Sequence, residues 1–219
     1  MLMKILKQHA SRRKLPERGF SLLEMVTVMA LIIVMASVSF ISLIPALKQQ
    51  RVTSAYNTTL SAMRLARDNA VAQRTSYKVT FTTTTSPYRS TIKVEPTLAF
   101  TGAQTTATYQ LPTDVAFITQ TGFPAAAPDN YGTGATAIDF GYTASNTTGG
   151  SQVVYFCPDG SAQDDATGSC LGNADGGVVY IARSGDLLSS RAVSLWGTTG
   201  RIRGWRLYPN GGTYQWQRQ

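Results

Sequence analysis

Residues 18–44 read RGFSLLEMVTVMALIIVMASVSFISLI. Phe20 to Ile44 make 25 positions without Lys, Arg, Asp, Asn, Gln, Gly or Pro. As a helix they extend about 38 Å at roughly 1.5 Å per residue, against about 30 Å for the hydrocarbon of a bilayer. The run is therefore expected to span a membrane. Glu24 is the discordant residue, since an unpaired carboxylate is disfavoured there and ionisable groups inside such spans are usually functional. A secretory signal would carry a shorter apolar region followed by a small-residue cleavage site. Here the order is reversed: Gly19 precedes the run, and the acid follows that Gly by five positions.

The charge along the chain agrees with this orientation. The 219 residues carry a formal net charge of +8, and six of the 20 basic residues, Lys4, Lys7, Arg12, Arg13, Lys14 and Arg18, lie in the first 18 positions. Beyond them 14 basic residues face 11 acidic ones, a charge of +3. Most of the basicity thus belongs to a leader and not to a binding surface. A basic cluster directly before the span holds the N-terminus in the cytoplasm and sends everything after Pro45 outward.

Arg18, Gly19, Phe20, Ser21, Leu22, Leu23 and Glu24 resemble the processing site of type IV prepilins. The resemblance implies cleavage between Gly19 and Phe20 by a prepilin peptidase, N-methylation of Phe20, and a Glu24 carboxylate that pairs with the terminal amine of a neighbouring subunit during assembly. The physics is compatible, because cleavage would create an ammonium near a carboxylate where either charge alone is penalised. A plain membrane anchor with Glu24 at the headgroup level is the alternative. The implied location is a bacterial inner membrane, crossed once, with the globular domain in the periplasm and the subunit incorporated into a filament.

Past the span, Val52, Tyr56, Leu60, Met63, Ala66 and Ala70 recur every three or four positions, with Arg64, Arg67, Asp68 and Gln73 on the other side, the pattern of an amphipathic helix. The Arg64 and Arg67 face is read as solvated. From about Thr75 the chain changes to short β-branched and aromatic runs separated by Gly, Pro, Asn and Asp. These are 77–83, 91–95, 115–119, 137–140, 153–156, 178–182, 192–196 and 201–208. Residues 120–136 and 142–150 read as long loops. The expected class is α+β: a long N-terminal helix, its first half membrane-spanning, packed on a β-rich C-terminal domain in a pilin-like arrangement. Its segments are a cleaved leader over 1–19, a transmembrane helix over 20–44, its amphipathic continuation over 45–74 and a globular domain over 75–219.

Cys157 and Cys170 stand 13 apart in a Gly- and Asp-rich stretch, which suits a local disulfide in an oxidising compartment; two free thiols are the alternative. Nearby Asp159, Asp164, Asp165, Asn173 and Asp175 have oxygen ligands of the calcium type, but their spacing is not that of a twelve-residue calcium loop, so polar turns are the better reading. No other cofactor is expected. The single histidine, His9, lies in the leader, so the mature chain would lack Ser-His and Cys-His pairs and His-containing zinc sites. Nucleophile elbows, phosphate loops and dinucleotide fingerprints are absent from the sequence. The chain is read as non-enzymatic, with carboxylate-only chemistry left open.

The C-terminal runs 177–182 and 192–196, followed by Gly200, Arg201, Ile202 and Arg203, resemble the GspH/FimT family of minor pilins and pseudopilins. That resemblance implies a subunit of a type II secretion pseudopilus or of a type IV pilus, with other pilins or pseudopilins as partners. The alternative is a FimT-like minor pilin that binds DNA for uptake through Arg201, Arg203, Trp205 and Arg206. In the FimT motif an Arg stands where this chain has Trp205. On an alternating strand Arg201, Arg203 and Trp205 share one face and Arg206 points to the other. A structural role, in which these arginines cap a terminal strand or pair with Asp175 and Asp186, competes with the DNA reading.

Overall fold

A computed structural model describes residues 19–84, 89–97, 106–132, 134–142, 149–164 and 169–219, apart from the side chains of Val38, Phe40, Ile41 and Ser42. The leader before Gly19 lies outside the described residues. By contacts the chain divides between Ile44 and Pro45 into two compact units.

Helix α1 runs Leu22–Gln73, with Pro45 inside it and Glu24 in its first turn. Ser21 accepts the first helical bond, from the amide of Met25 at 3.1 Å, and Glu24 sits where the helix dipole favours a negative charge. Phe20, Leu22, Leu23, Met25, Val34 and Met35 are all exposed. Among the described residues no helix is long and apolar enough to cross a membrane; the four undescribed side chains fall inside the apolar run.

The second unit, Pro45–Gln219, begins with the amphipathic part of α1. Val52, Ala55, Tyr56, Leu60, Met63, Ala66 and Ala70 are buried in one continuous core, the stripe that the sequence spacing predicts. Its alanines let the helix approach the sheets closely, and Thr59, also buried, returns its hydroxyl to the carbonyl of Ala55 at 2.9 Å.

Two antiparallel sheets complete this core. The first has the order β3-β2-β1-β6-β7, built from β1 Tyr77–Thr82, β2 Thr91–Pro96, β3 Ala107–Gln110, β6 Val153–Phe156 and β7 Ala162–Gln163. The second has the order β11-β10-β9-β8-β4, with β5 also pairing β8. Its strands are β4 Ala116–Phe117, β5 Ile138–Tyr142, β8 Gly176–Arg183, β9 Asp186–Trp196, β10 Arg201–Asn210 and β11 Thr213–Arg218. Tyr77, Val79 and Phe81 from β1 meet Val179, Ile181, Val193 and Leu195 from β8 and β9 in the same core as the helix stripe. Phe81 packs on Phe140 and Phe117 with ring centroids 5.4 and 5.5 Å apart.

The α+β class and the position of a long helix before the strands agree with the sequence reading. The strand count does not: β3, β7 and β11 were not expected, and β9 begins six residues before the run at 192–196. The segment read as a loop over 120–136 contains a 3-10 turn at Pro128–Asn130. It does not stand free, since Phe123 and Tyr131 pack on Val178, Tyr180 and Ala192 together with Trp205 and Trp216. These belong to the face of the second sheet opposite the helix, so this loop supplies that face with its apolar cover. Most of the segment read as a loop over 142–150 lies outside the described residues.

Candidate functional site

Register on β10 fixes what each C-terminal arginine can do. Arg201, Arg203 and Trp205 are partnered with Trp196, Ser194 and Ala192 of β9, while Arg206 is partnered with Arg191. The expected division of faces therefore holds, with Arg206 on the side of Val193 and Leu195 and the other three on the loop-covered side.

Two of those three are already occupied. Arg203 donates from Nη1 to Asp129, and Asp129 is only 5% exposed in its side chain. The other oxygen of Asp129 accepts the hydroxyl of Ser194, which in turn accepts Nε1–H of Trp205 at 2.8 Å. Arg203 also lies over the Trp196 ring, with Cζ 5.4 Å from the centroid. This chain of bonds ties the 3-10 turn to β9 and β10, and Asp129 adopts φ 52° to reach it. Hydrogen-bonded networks of this kind hold the groups they join in one arrangement, although Nε of Arg203 is buried without a hydrogen-bond partner.

Of Arg201, Arg203 and Arg206, only Arg203 pairs with a described carboxylate, and that acid is neither Asp175 nor Asp186. Asp186 is bound by Arg183 at 3.1 Å, and Asp175 faces Asp164, whose amide donates to it at 3.3 Å. Arg203 found Asp129, 74 residues away. The Arg64 and Arg67 face also needs correction, because Arg67 is not simply solvated. Its Nε and Nη2 donate to the carbonyls of Gly160 and Thr199 at 3.2 and 3.1 Å. Gly200, at φ 58°, is required at that contact, since a Cβ there would collide with the Gly160 carbonyl.

Arg64, Arg67, Arg201 and Arg203, with Asp68 and Trp196, line an open groove of about 700 Å³ between α1 and the start of β10. Arg201 is exposed on its rim. The groove is thus cationic with an aromatic wall, a combination suited to phosphate oxygens and stacked rings. Arg64 and Trp196 were not among the expected binding residues; they become visible only when α1 and the β9–β10 turn are brought together.

Cys157 and Cys170 are joined in the expected disulfide, with Cα atoms 5.7 Å apart. Gln163 donates to the Cys157 sulfur at 3.0 Å and accepts from the Gly172 amide, which stitches β7 to the bridged loop. The calcium candidates lead elsewhere. Asp159 accepts from the amide and hydroxyl of Ser161 at 2.9 and 2.7 Å, bonds that hold its carboxyl below the usual range. Asp175 is pushed up to about 6 by burial and by the neighbouring Asp164. Asp165 lies outside the described residues, and among the described residues no three acidic, His or Cys groups converge on a metal position.

At the other end, Gly19 and Phe20 lie in exposed, non-helical chain. Phe20 is 76% exposed, and a Cβ on Gly19 would meet nothing within 4 Å. Glu24 is exposed and forms no ion pair among the described residues. No family model, curated protein or solved structure matches the chain.

Proposed function

We propose that this chain is a non-enzymatic pilin-like subunit, anchored in the bacterial inner membrane and incorporated through α1 into the filament of a type II secretion pseudopilus or a type IV pilus. The observation that carries the reading is the change of surface along one helix. Up to about Leu47 the described large apolar side chains of α1 are exposed; from Val52 the same helix supplies a buried stripe to the β-rich unit. A contiguous apolar surface of that extent is not sustained in water and marks a partner or a bilayer. Lipid would cover it before assembly and the helices of neighbouring subunits afterwards. The open chain at Gly19 and Phe20 suits a peptidase, and the unpaired Glu24 carboxylate suits a new terminal amine on the next subunit.

The experiment is the intact mass and N-terminal sequence of the protein recovered from membranes. Methylated Phe20 as the first residue is expected, and assembled filaments that retain residues 1–19 would sink the reading. Glu24→Ala should leave cleavage and insertion intact and lower incorporation into filaments.

The cationic groove favours a second reading, a minor pilin that binds DNA. Arg203 and Trp205 are held by Asp129 and Ser194, so the groups open to a phosphate chain are Arg201 and Arg64, with Trp196 as the stacking surface. Two neutralised phosphates give a slope of about −1.8 for log affinity against log salt on duplex DNA. Arg64→Gln with Arg201→Gln should abolish this binding, and equal affinity in the double variant would remove the reading.

A further inference from the structure

Arg191 of β9 and Arg206 of β10 are register partners. Directly opposed residues on antiparallel strands project from the same face with Cβ atoms about 4.5–5.5 Å apart, and like charges so placed are destabilising. No described carboxylate lies within ion-pair distance of either of them. Arg191 is only 3% exposed, yet its hydrogen bonds go to the carbonyls of Ser189 and Ser190, both at 3.3 Å. Asp186, whose charge reaches Arg191, is engaged by Arg183. Burial, and then the charge of Arg206, push Arg191 down to about 10, so it is still a cation at neutral pH.

The surroundings hold these cations in place. Arg206 lies over the Tyr208 ring, with Cζ 5.0 Å from the centroid, and its Nε is buried without a hydrogen-bond partner. Gly204, two positions before Arg206 and on the same face, has no side chain because Tyr56 occupies that space; a Cβ there would collide with the phenol oxygen. The Tyr56 phenol feels the charges of Arg191 and Arg64. Two guanidinium groups and a hydroxyl thus gather on one patch whose nearest counter-charge, Asp186, is shared with Arg183.

We propose that Arg191, Arg206 and the Tyr56 hydroxyl form a binding site for a phosphomonoester-type dianion. The charge count selects the class. A carboxylate or a phosphodiester brings one negative charge to two adjacent cations, whereas a phosphomonoester carries about −1.5 to −2 at pH 7 with three acceptor oxygens. Guanidinium forks match such oxygens in pairs. The dianion is either free in solution or the head group of a lipid, and the site is independent of the assembly role proposed above.

Thermal unfolding of the full chain in neutral detergent micelles, at constant ionic strength, tests the site. Inorganic phosphate at saturation should raise Tm by about 3–6 °C, and acetate or chloride should not. Arg206→Gln should remove the response to phosphate. Because it also removes a like-charge contact, its Tm without phosphate should equal or exceed that of the parent. Tyr56→Phe, which keeps the ring and loses the hydroxyl, should weaken phosphate binding severalfold with little change in anion-free melting, and it serves as the test if Arg206→Gln does not fold. The source is distinguished by reconstitution into phosphatidylcholine vesicles containing phosphatidic acid or, as a diester control, phosphatidylglycerol. Stabilisation by phosphatidic acid alone assigns a lipid, and stabilisation by added phosphate in either vesicle assigns the free ion. No response of the parent to phosphate or phosphatidic acid overturns the proposal. So does an undiminished response in both variants, or an Arg206→Gln protein that melts lower than the parent without phosphate.

Discussion

Asp175 and Asp129 are two buried carboxylates with opposite consequences. Burial and the nearby Asp164 raise Asp175 to about 6 from an ordinary 3.8, so between those two pH values the folded protein holds a proton there that the unfolded chain has released. The stability this provides is fully present below about pH 4 and is lost as the pH rises through about 6. Asp175→Asn should therefore stabilise the protein by about 1–3 kcal/mol at pH 8 and flatten the decline between pH 4 and 6, as urea titrations at several pH values would register. An unchanged pH profile would show that Asp175 does not carry the proton. Asp129, by contrast, is the counter-charge of Arg203 and the acceptor for Ser194. Asp129→Ala leaves a largely buried guanidinium without its counter-charge and should cost about 2–4 kcal/mol. The loss should shrink when Arg203→Met is combined with it, a coupling that a double-mutant cycle in urea measures. The Asp129–Arg203 pairing could not be read from the sequence, because Asp129 lies in a Gly- and Pro-rich segment with no periodicity and meets Arg203 only through the fold.

The elements divide into those with a local signature and those without. Every third or fourth residue from Val52 to Ala70 announces the buried face of α1, and the β-branched runs announce β1, β2, β6 and β8. β11 also has a signal: Gly211 and Gly212, after Asn210, form a two-residue hairpin turn before a strand in which Tyr214 and Trp216 alternate with Gln, a pattern that favours a strand. The two-residue β7 had none, since its pairing with Tyr155 and Phe156 depends on the bridged loop that follows. That loop carries a prediction of its own. Closing 13 positions with a disulfide should contribute about 3 kcal/mol in the chain-entropy model. Cys157→Ala with Cys170→Ala should lower stability by about that much and loosen β7, seen as faster amide exchange at Ala162 and Gln163. Equal stability of the double variant would place the function of the bridge elsewhere.

At the scale of the whole molecule, α1 serves two units. Residues before Pro45 expose apolar side chains, whereas Val52, Tyr56, Leu60 and Met63 share a core with strands from both sheets. A natural cut therefore falls near Pro45 and not at Thr75, where the sequence changes from helical to strand periodicity. A fragment over 45–219 should fold as a soluble protein with a cooperative urea transition. A fragment over 75–219 should not, although it contains every strand. Removing the stripe uncovers the faces of β1, β8 and β9 that it covers, and each large apolar side chain exposed costs about 1.5–3 kcal/mol. Four such side chains lost, together with the contacts they cover on the sheets, total on the order of 10 kcal/mol, comparable with the roughly 5–15 kcal/mol by which domains of this size are stable. Circular dichroism and size-exclusion chromatography distinguish the outcomes. Cooperative unfolding of the shorter fragment would show that the two sheets close their own core and that α1 is an attachment to the domain, not a part of it.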